Sequence, residues 1–158
     1  MSSLDVLIQA QVLNLFEDLR RELGLSYLFI SHDLALVKQV SDRVAVMHLG
    51  QLCEVGPADA LYRRPLHPYT SALLASIPSL VPGAGRARRA APLHGEPPSP
   101  LDPPSGCRFR TRCPFAQDRC AAEEPVLRER APGHAVACHF PLDGAAVSAV
   151  ATSAASVP

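Results

Sequence analysis

"LSYLFISHDLALV", Leu25 to Val37, is the stretch on which the fold turns: six mostly apolar residues run straight into Ser31, His32 and Asp33. A short segment apolar on both faces is expected as a strand inside a parallel sheet, covered on both sides. The end of such a strand is where an α/β protein opens its ligand crevice. A histidine at that point is therefore a candidate for chemistry, with a simple turn residue as the plain alternative.

Working outward, residues 6–23 carry Ile8, Val12, Leu15, Phe16, Leu19 and Leu23 at three- and four-residue steps, the mark of a helix with one buried face. Asp5 is expected to cap its start, and Gly24 suits the left-handed position after its last turn. After the histidine, Asp33–Val40 reads as a second helix. Val44–His48 and Gln51–Val55 read as two strands joined tightly at Leu49–Gly50. Two short helices follow, Pro57–Tyr62 and Pro68–Ile77, each opening on a proline suited to a first turn. Helix, strand, helix, strand is α/β wiring.

The character then changes. From Pro78 to Ser105 fall eight of the sixteen prolines, with glycines and the basic run Gly85–Ala90. Residues 79–105 are expected to be a linker whose arginines are solvated, residues 106–141 a cysteine-bearing segment, and residues 142–158 a disordered low-complexity tail.

The whole chain has 158 residues, zero formal charge and 47% hydrophobic residues, which fits an ordinary globular domain with appendages. Balanced charge gives no electrostatic case for nucleic acid or a membrane surface. No apolar run reaches the roughly 20 residues of a membrane-spanning helix, and no secretory signal opens the chain. A cytoplasmic setting is the expectation, with membrane contact only through other subunits.

Five cysteines are present. Cys53 stands in an apolar segment and is expected to pack as a small hydrophobe. Cys107, Cys113, Cys120 and Cys138 are spaced x5, x6 and x17, with Pro114 after the second. Four thiolates hold either a [4Fe–4S] cluster or Zn2+. Structural zinc sites usually show closer ligand pairs, so the spacing leans toward iron–sulfur, with zinc and metal-free thiols left open. His134 or His139 could replace one cysteine at a zinc. The expected role is a structural staple, with Phe109 and Phe115 packed around it.

Several of these stretches resemble one family. Ser2–Val6, Gln9–Leu19, Tyr27–Val37, Ser41–Leu61 and Pro65–Pro78 are similar to the ATP-binding subunits of oligopeptide/dipeptide ABC transporters, and Gly106–Cys120 with Ala131–Phe140 resemble that family's carboxy-terminal extension. The resemblance implies an α/β fold: the carboxy-terminal part of an ABC-type nucleotide-binding domain over residues 1–78, with a partial parallel sheet and flanking helices, followed by a loop-rich cysteine extension. It implies that Ser2, Ser3, Leu4 and Asp5 match a loop along the interface of two ATP-binding subunits, with Asp5 as its acidic residue. Ser3 departs from the alanine usual there. His32 matches the switch histidine, expected to contact the γ-phosphate and order the attacking water. Some family members carry an iron–sulfur cluster in the extension.

The implied cofactors are ATP and Mg2+ in a complete subunit. The implied partners are a second ATP-binding subunit, transmembrane permease subunits and, indirectly, a peptide-binding protein, at the cytoplasmic face of the membrane. A phosphate-cradling loop needs Gly-x4-Gly-Lys-[Ser/Thr], whereas the only lysine here is Lys38, preceded by Val37. The signature motif and an Asp-Glu-ended strand are also missing, so the 158 residues are expected not to hydrolyse ATP alone. A fragment, a split gene or a misplaced start would account for this. The competing reading is a small metal-binding or regulatory module that works without ATP; a zinc-stabilised nucleic-acid binder is disfavoured by the neutral charge.

Overall fold

The computed structural model describes residues 3–77, 93 and 95–142. The expected linker at 78–92 and 94, the expected tail from 143 onward and the site candidate Ser2 lie outside the described residues. The chain divides into two compact units, residues 1–41 and 42–158.

The first unit is built on a 21-residue helix, α1 (Ser3–Leu23). It opens two residues before Asp5, so Asp5 sits in the first turn instead of capping it. Gly24 takes a φ of +64°, and Leu25 N–H reaches back to the Arg20 carbonyl at 3.3 Å, closing the helix as expected. The returning chain brings Tyr27 and Phe29 against Phe16, with ring centroids 5.5 and 5.7 Å away.

Leu25–Ile30 carries no strand pairing, contrary to the expectation of a parallel strand. The reason is physical: an interior strand needs neighbours on both edges, and every described strand belongs to the other unit. Leu28 and Ile30 are left 91% and 95% exposed. The apolar stripe of α1 is likewise uncovered, with Ile8, Leu15 and Leu23 all exposed. Helix α2 (Leu34–Val40) follows, capped by Asp33.

The second unit holds the sheet. Strands β1 (Arg43–His48) and β2 (Gln51–Pro57) form the expected hairpin, turning on Leu49 and Gly50 at φ of +48° and +79°. Both central residues in the left-handed region make the tight turn that matches strand twist. The Arg108 guanidinium donates to the Leu49 carbonyl and holds that turn. Helices α3 (Ala58–Arg63) and α4 (Pro68–Ala75) follow. Pro57 stands one residue ahead of α3, while Pro68 occupies the first turn of α4 as expected.

The cysteine segment gives a short helix, α5 (Asp118–Ala122), then β3 (Arg128–Ala131) and β4 (His134–Val136). The sheet order is β1-β2-β4-β3, antiparallel throughout. The α/β class therefore holds, with an antiparallel sheet in place of the parallel pairing expected. The extension is not merely loops: β4 completes the sheet against β2.

One irregularity in β2 shapes the interior of this unit. Opposite β1, Glu54 pairs with Val46 and Leu52 with Met47, which leaves Cys53 as an extra, bulged residue. A bulge breaks the alternation of faces, and so Cys53 and Glu54 are both buried although adjacent. Leu61, Tyr62, Leu66, Leu74 and Val136 complete the core around them.

Candidate functional site

His32 sits in a turn fixed from both sides. The Ser31 hydroxyl accepts from Asp33 N–H at 3.0 Å, and Asp33 Oδ1 accepts from Ala35 and Leu36 N–H at 2.9 and 3.1 Å. These bonds satisfy the first donors of α2 and leave the residue between the two acceptors exposed. The turn thus presents an imidazole to the surroundings instead of packing it. Ser3, Leu4 and Asp5 lie in the first turn of α1.

Buried polar chemistry collects in the second unit, around Glu54. Its carboxylate, fully inaccessible, accepts from Leu66 N–H at 2.8 Å and His67 N–H at 2.9 Å, and lies 2.7 Å from His134 Nε2. A charge removed from water persists only when its acceptor positions are filled. Here three donors fill them, one of them supplied by β4. Gly56 is required beside this pair, because a Cβ there would stand 2.7 Å from the His134 ring. Sequence reasoning missed this clasp; its signal was a lone carboxylate inside the apolar run Leu52–Val55.

His67 continues the network. Its Nδ1 accepts from Tyr69 N–H at 3.0 Å and caps α4. Burial, with His48 nearby, drives its pKa down to about 4. The unfolded chain takes up that proton near the ordinary value of about 6.5. Between these two values the unfolded state binds more protons, so the contribution is complete above pH 6.5 and is lost as pH falls toward 4. A shift of this size corresponds to about 3 kcal/mol. Urea melts at pH 7 and pH 4.5 should show this loss, and His67→Asn, which keeps a side-chain acceptor, should flatten it. An equal pH dependence in that variant would reject the assignment.

Cys107, Cys113, Cys120 and Cys138 do come together: all four line one small cavity of about 10 Å3, with Phe109, Phe115 and Phe140 among its walls. Successive turns place them, and Cys107 N–H bonds the Cys120 carbonyl at 2.8 Å. Gly106, at a φ of +63°, permits this approach, since a Cβ there would lie 2.4 Å from that carbonyl. Burial pushes the Cys113 thiol up to about 11 and Cys138 up to about 12, with the neighbouring thiols adding to both.

Soft donors in apolar walls suit a thiophilic metal. The space does not suit a four-iron cluster, being about that of one water-sized probe. Among the described residues no group of three or more His, Cys, Asp or Glu is set to hold an ion. His139 lines the cavity but its Nε2 lies 3.0 Å from the Glu123 carbonyl, and His134 is engaged by Glu54. Cys53 is buried as expected, its thiol pushed up to about 12 by burial.

Residues 53–120 match the family pattern described as "Oligopeptide/dipeptide transporter, C-terminal region". The chain is 52% identical over 99% of its length to a probable peptide ABC transporter ATP-binding protein of Sinorhizobium fredii, covering 44% of that protein. It is 54% identical over 88% of its length to a putative oligopeptide transport ATP-binding protein of Bacillus subtilis, covering 42% of it. To the oligopeptide transport ATP-binding protein OppF of Salmonella typhimurium it is 56% identical over 87% of its length, covering 41% of that protein. The chain therefore spans less than half the length of these relatives. No described helix is long and apolar enough to cross a membrane.

Proposed function

We propose a function from one premise: the chain belongs, by its carboxy-terminal region, to the oligopeptide/dipeptide transporter family. It serves as the carboxy-terminal portion of the ATP-hydrolysing subunit of a peptide importer, which couples hydrolysis to peptide movement across the membrane. The observation that carries this is the 52–57% identity over 87–99% of the chain to proteins named for peptide transport and ATP binding.

Within such a subunit His32 donates a hydrogen bond to the γ-phosphate and helps order the attacking water. A positioned donor at developing negative charge lowers the barrier without reorganising during the reaction. Its exposed, doubly braced turn supports that role. Ser2, Ser3, Leu4 and Asp5 line the interface with a second ATP-binding subunit. The phosphate-binding loop and the Mg2+ site come from segments outside these 158 residues. Permease subunits and a peptide-binding protein complete the machine, and the assembly works at the cytoplasmic face of the membrane.

The four cysteines serve as ligands of a thiophilic metal that staples the extension; their convergence on one cavity supports this, and the size of that cavity favours a single zinc ion over an iron–sulfur cluster. Anaerobic purification should yield metal with a defined stoichiometry, and visible absorption would distinguish iron–sulfur from zinc. Less than a tenth of an equivalent of metal per chain would remove the staple. The transport role is tested by reconstituting the whole subunit with its permease in vesicles. Peptide uptake that requires ATP is the expected result, and uptake indifferent to ATP would overturn it.

A further inference from the structure

The segment that carries His32 is tied down on both sides by contacts of different chemistry. On the incoming side Tyr27 and Phe29 pack on Phe16 of α1, and their own ring centroids lie 5.7 Å apart. Polar bonds then take over. Ser31 Oγ accepts from Asp33 N–H, and Asp33 Oδ1 accepts from both Ala35 and Leu36 N–H. His32 is the single residue between these two acceptors.

Helix α2, which Asp33 caps, has seven residues, and none of them is buried among the described residues. A helix that short has too few internal bonds to hold itself in water. The Asp33 cap is therefore what fixes the backbone on the outgoing side of His32. Both bonds to its Oδ1 come from backbone amides, so the fold uses an acceptor at this position and not a charge. Asparagine supplies the same acceptor and caps a helix about as well; alanine does neither.

We propose that Ser31 and Asp33 are positioning residues for the His32 imidazole, setting the place of its ring through the turn and taking no part in the chemistry themselves. This rests on the role proposed above for His32 in the whole subunit. A catalytic group displaced by about 1 Å can lose up to about 10²-fold in rate. Removing one brace loosens the turn but keeps the donor, so its effect falls short of deleting the ring.

ATP turnover by the whole subunit, measured as a double-mutant cycle against His32→Ala, tests this. Asp33→Ala should lower kcat about tenfold and Ser31→Ala about threefold, with ATP affinity within about twofold of the parent. Asp33→Asn should return kcat to within about twofold of the parent. In the His32→Ala background neither alanine variant should lower kcat further, because residues that act through one group lose their effect once it is gone. Undiminished kcat in Asp33→Ala, an Asp33→Asn variant as slow as Asp33→Ala, or an equal loss in the His32→Ala background would each overturn the proposal while leaving His32 its role. Undiminished kcat in His32→Ala would instead overturn that role, and this proposal with it. Should Asp33→Ala melt α2, Ser31→Ala, which removes one bond at an exposed position, keeps the same comparisons decisive.

Discussion

Glu54→Ala should cost the sheet unit about 3–5 kcal/mol, since each buried donor left unmet costs about 1–3 kcal/mol and the substitution strands more than one. The substitution strands two backbone donors, Leu66 N–H and His67 N–H, and leaves the His134 ring without its partner in a site closed to water. It also opens a gap between β2 and β4, which pair through Glu54–Val136 and Val55–Ala135. For a unit of this size each kcal/mol corresponds to roughly 4–8 °C in melting temperature, so the transition should fall by more than 12 °C. Circular dichroism during heating measures it. His134→Gln, which retains a side-chain donor, should cost less than half as much. A Glu54→Ala melt within 3 °C of the parent would mean that the clasp contributes nothing.

His32→Ala should lower ATP turnover by the whole subunit about 10²–10³-fold, the loss found when one preorganised donor to a developing oxyanion is removed. Nucleotide affinity should stay within about threefold, because a contact that strengthens in the transition state leaves ground-state binding nearly intact. The melting curve should not move, since His32 is exposed and its turn is held by Ser31 and Asp33. This separation of turnover from binding and folding distinguishes a catalytic imidazole from a turn residue. Undiminished turnover would return His32 to the plain reading.

Local order was largely written in the sequence. The three- and four-residue spacing of Ile8 to Leu23 gave α1, Gly24 its end, and Leu49–Gly50 the hairpin, because each depends on nearest neighbours and backbone sterics. The strand expected at Leu25–Ile30 depends on partners that the described chain does not provide, and periodicity carries no information about partners.

The bulge at Cys53 was hidden for a related reason. A one-residue slip in register is set by the opposing strand and the packing behind it, not by the composition of β2. Glu54 and His134 stand 80 positions apart, and nothing local announces that they meet. The convergence of the four cysteines was legible from their clustering, whereas the size of the cavity they enclose required the fold.

The claim on which the functional account rests is that the His32 imidazole faces a nucleotide's terminal phosphoryl group. Histidine ring carbons labelled with ¹³C would report it directly in the whole subunit, with His32→Gln assigning the signal. A non-hydrolysable ATP analogue should shift the His32 resonance while ADP at saturation leaves it in place. A resonance that stays put with the ATP analogue fully bound, or moves equally with ADP, would contradict the account.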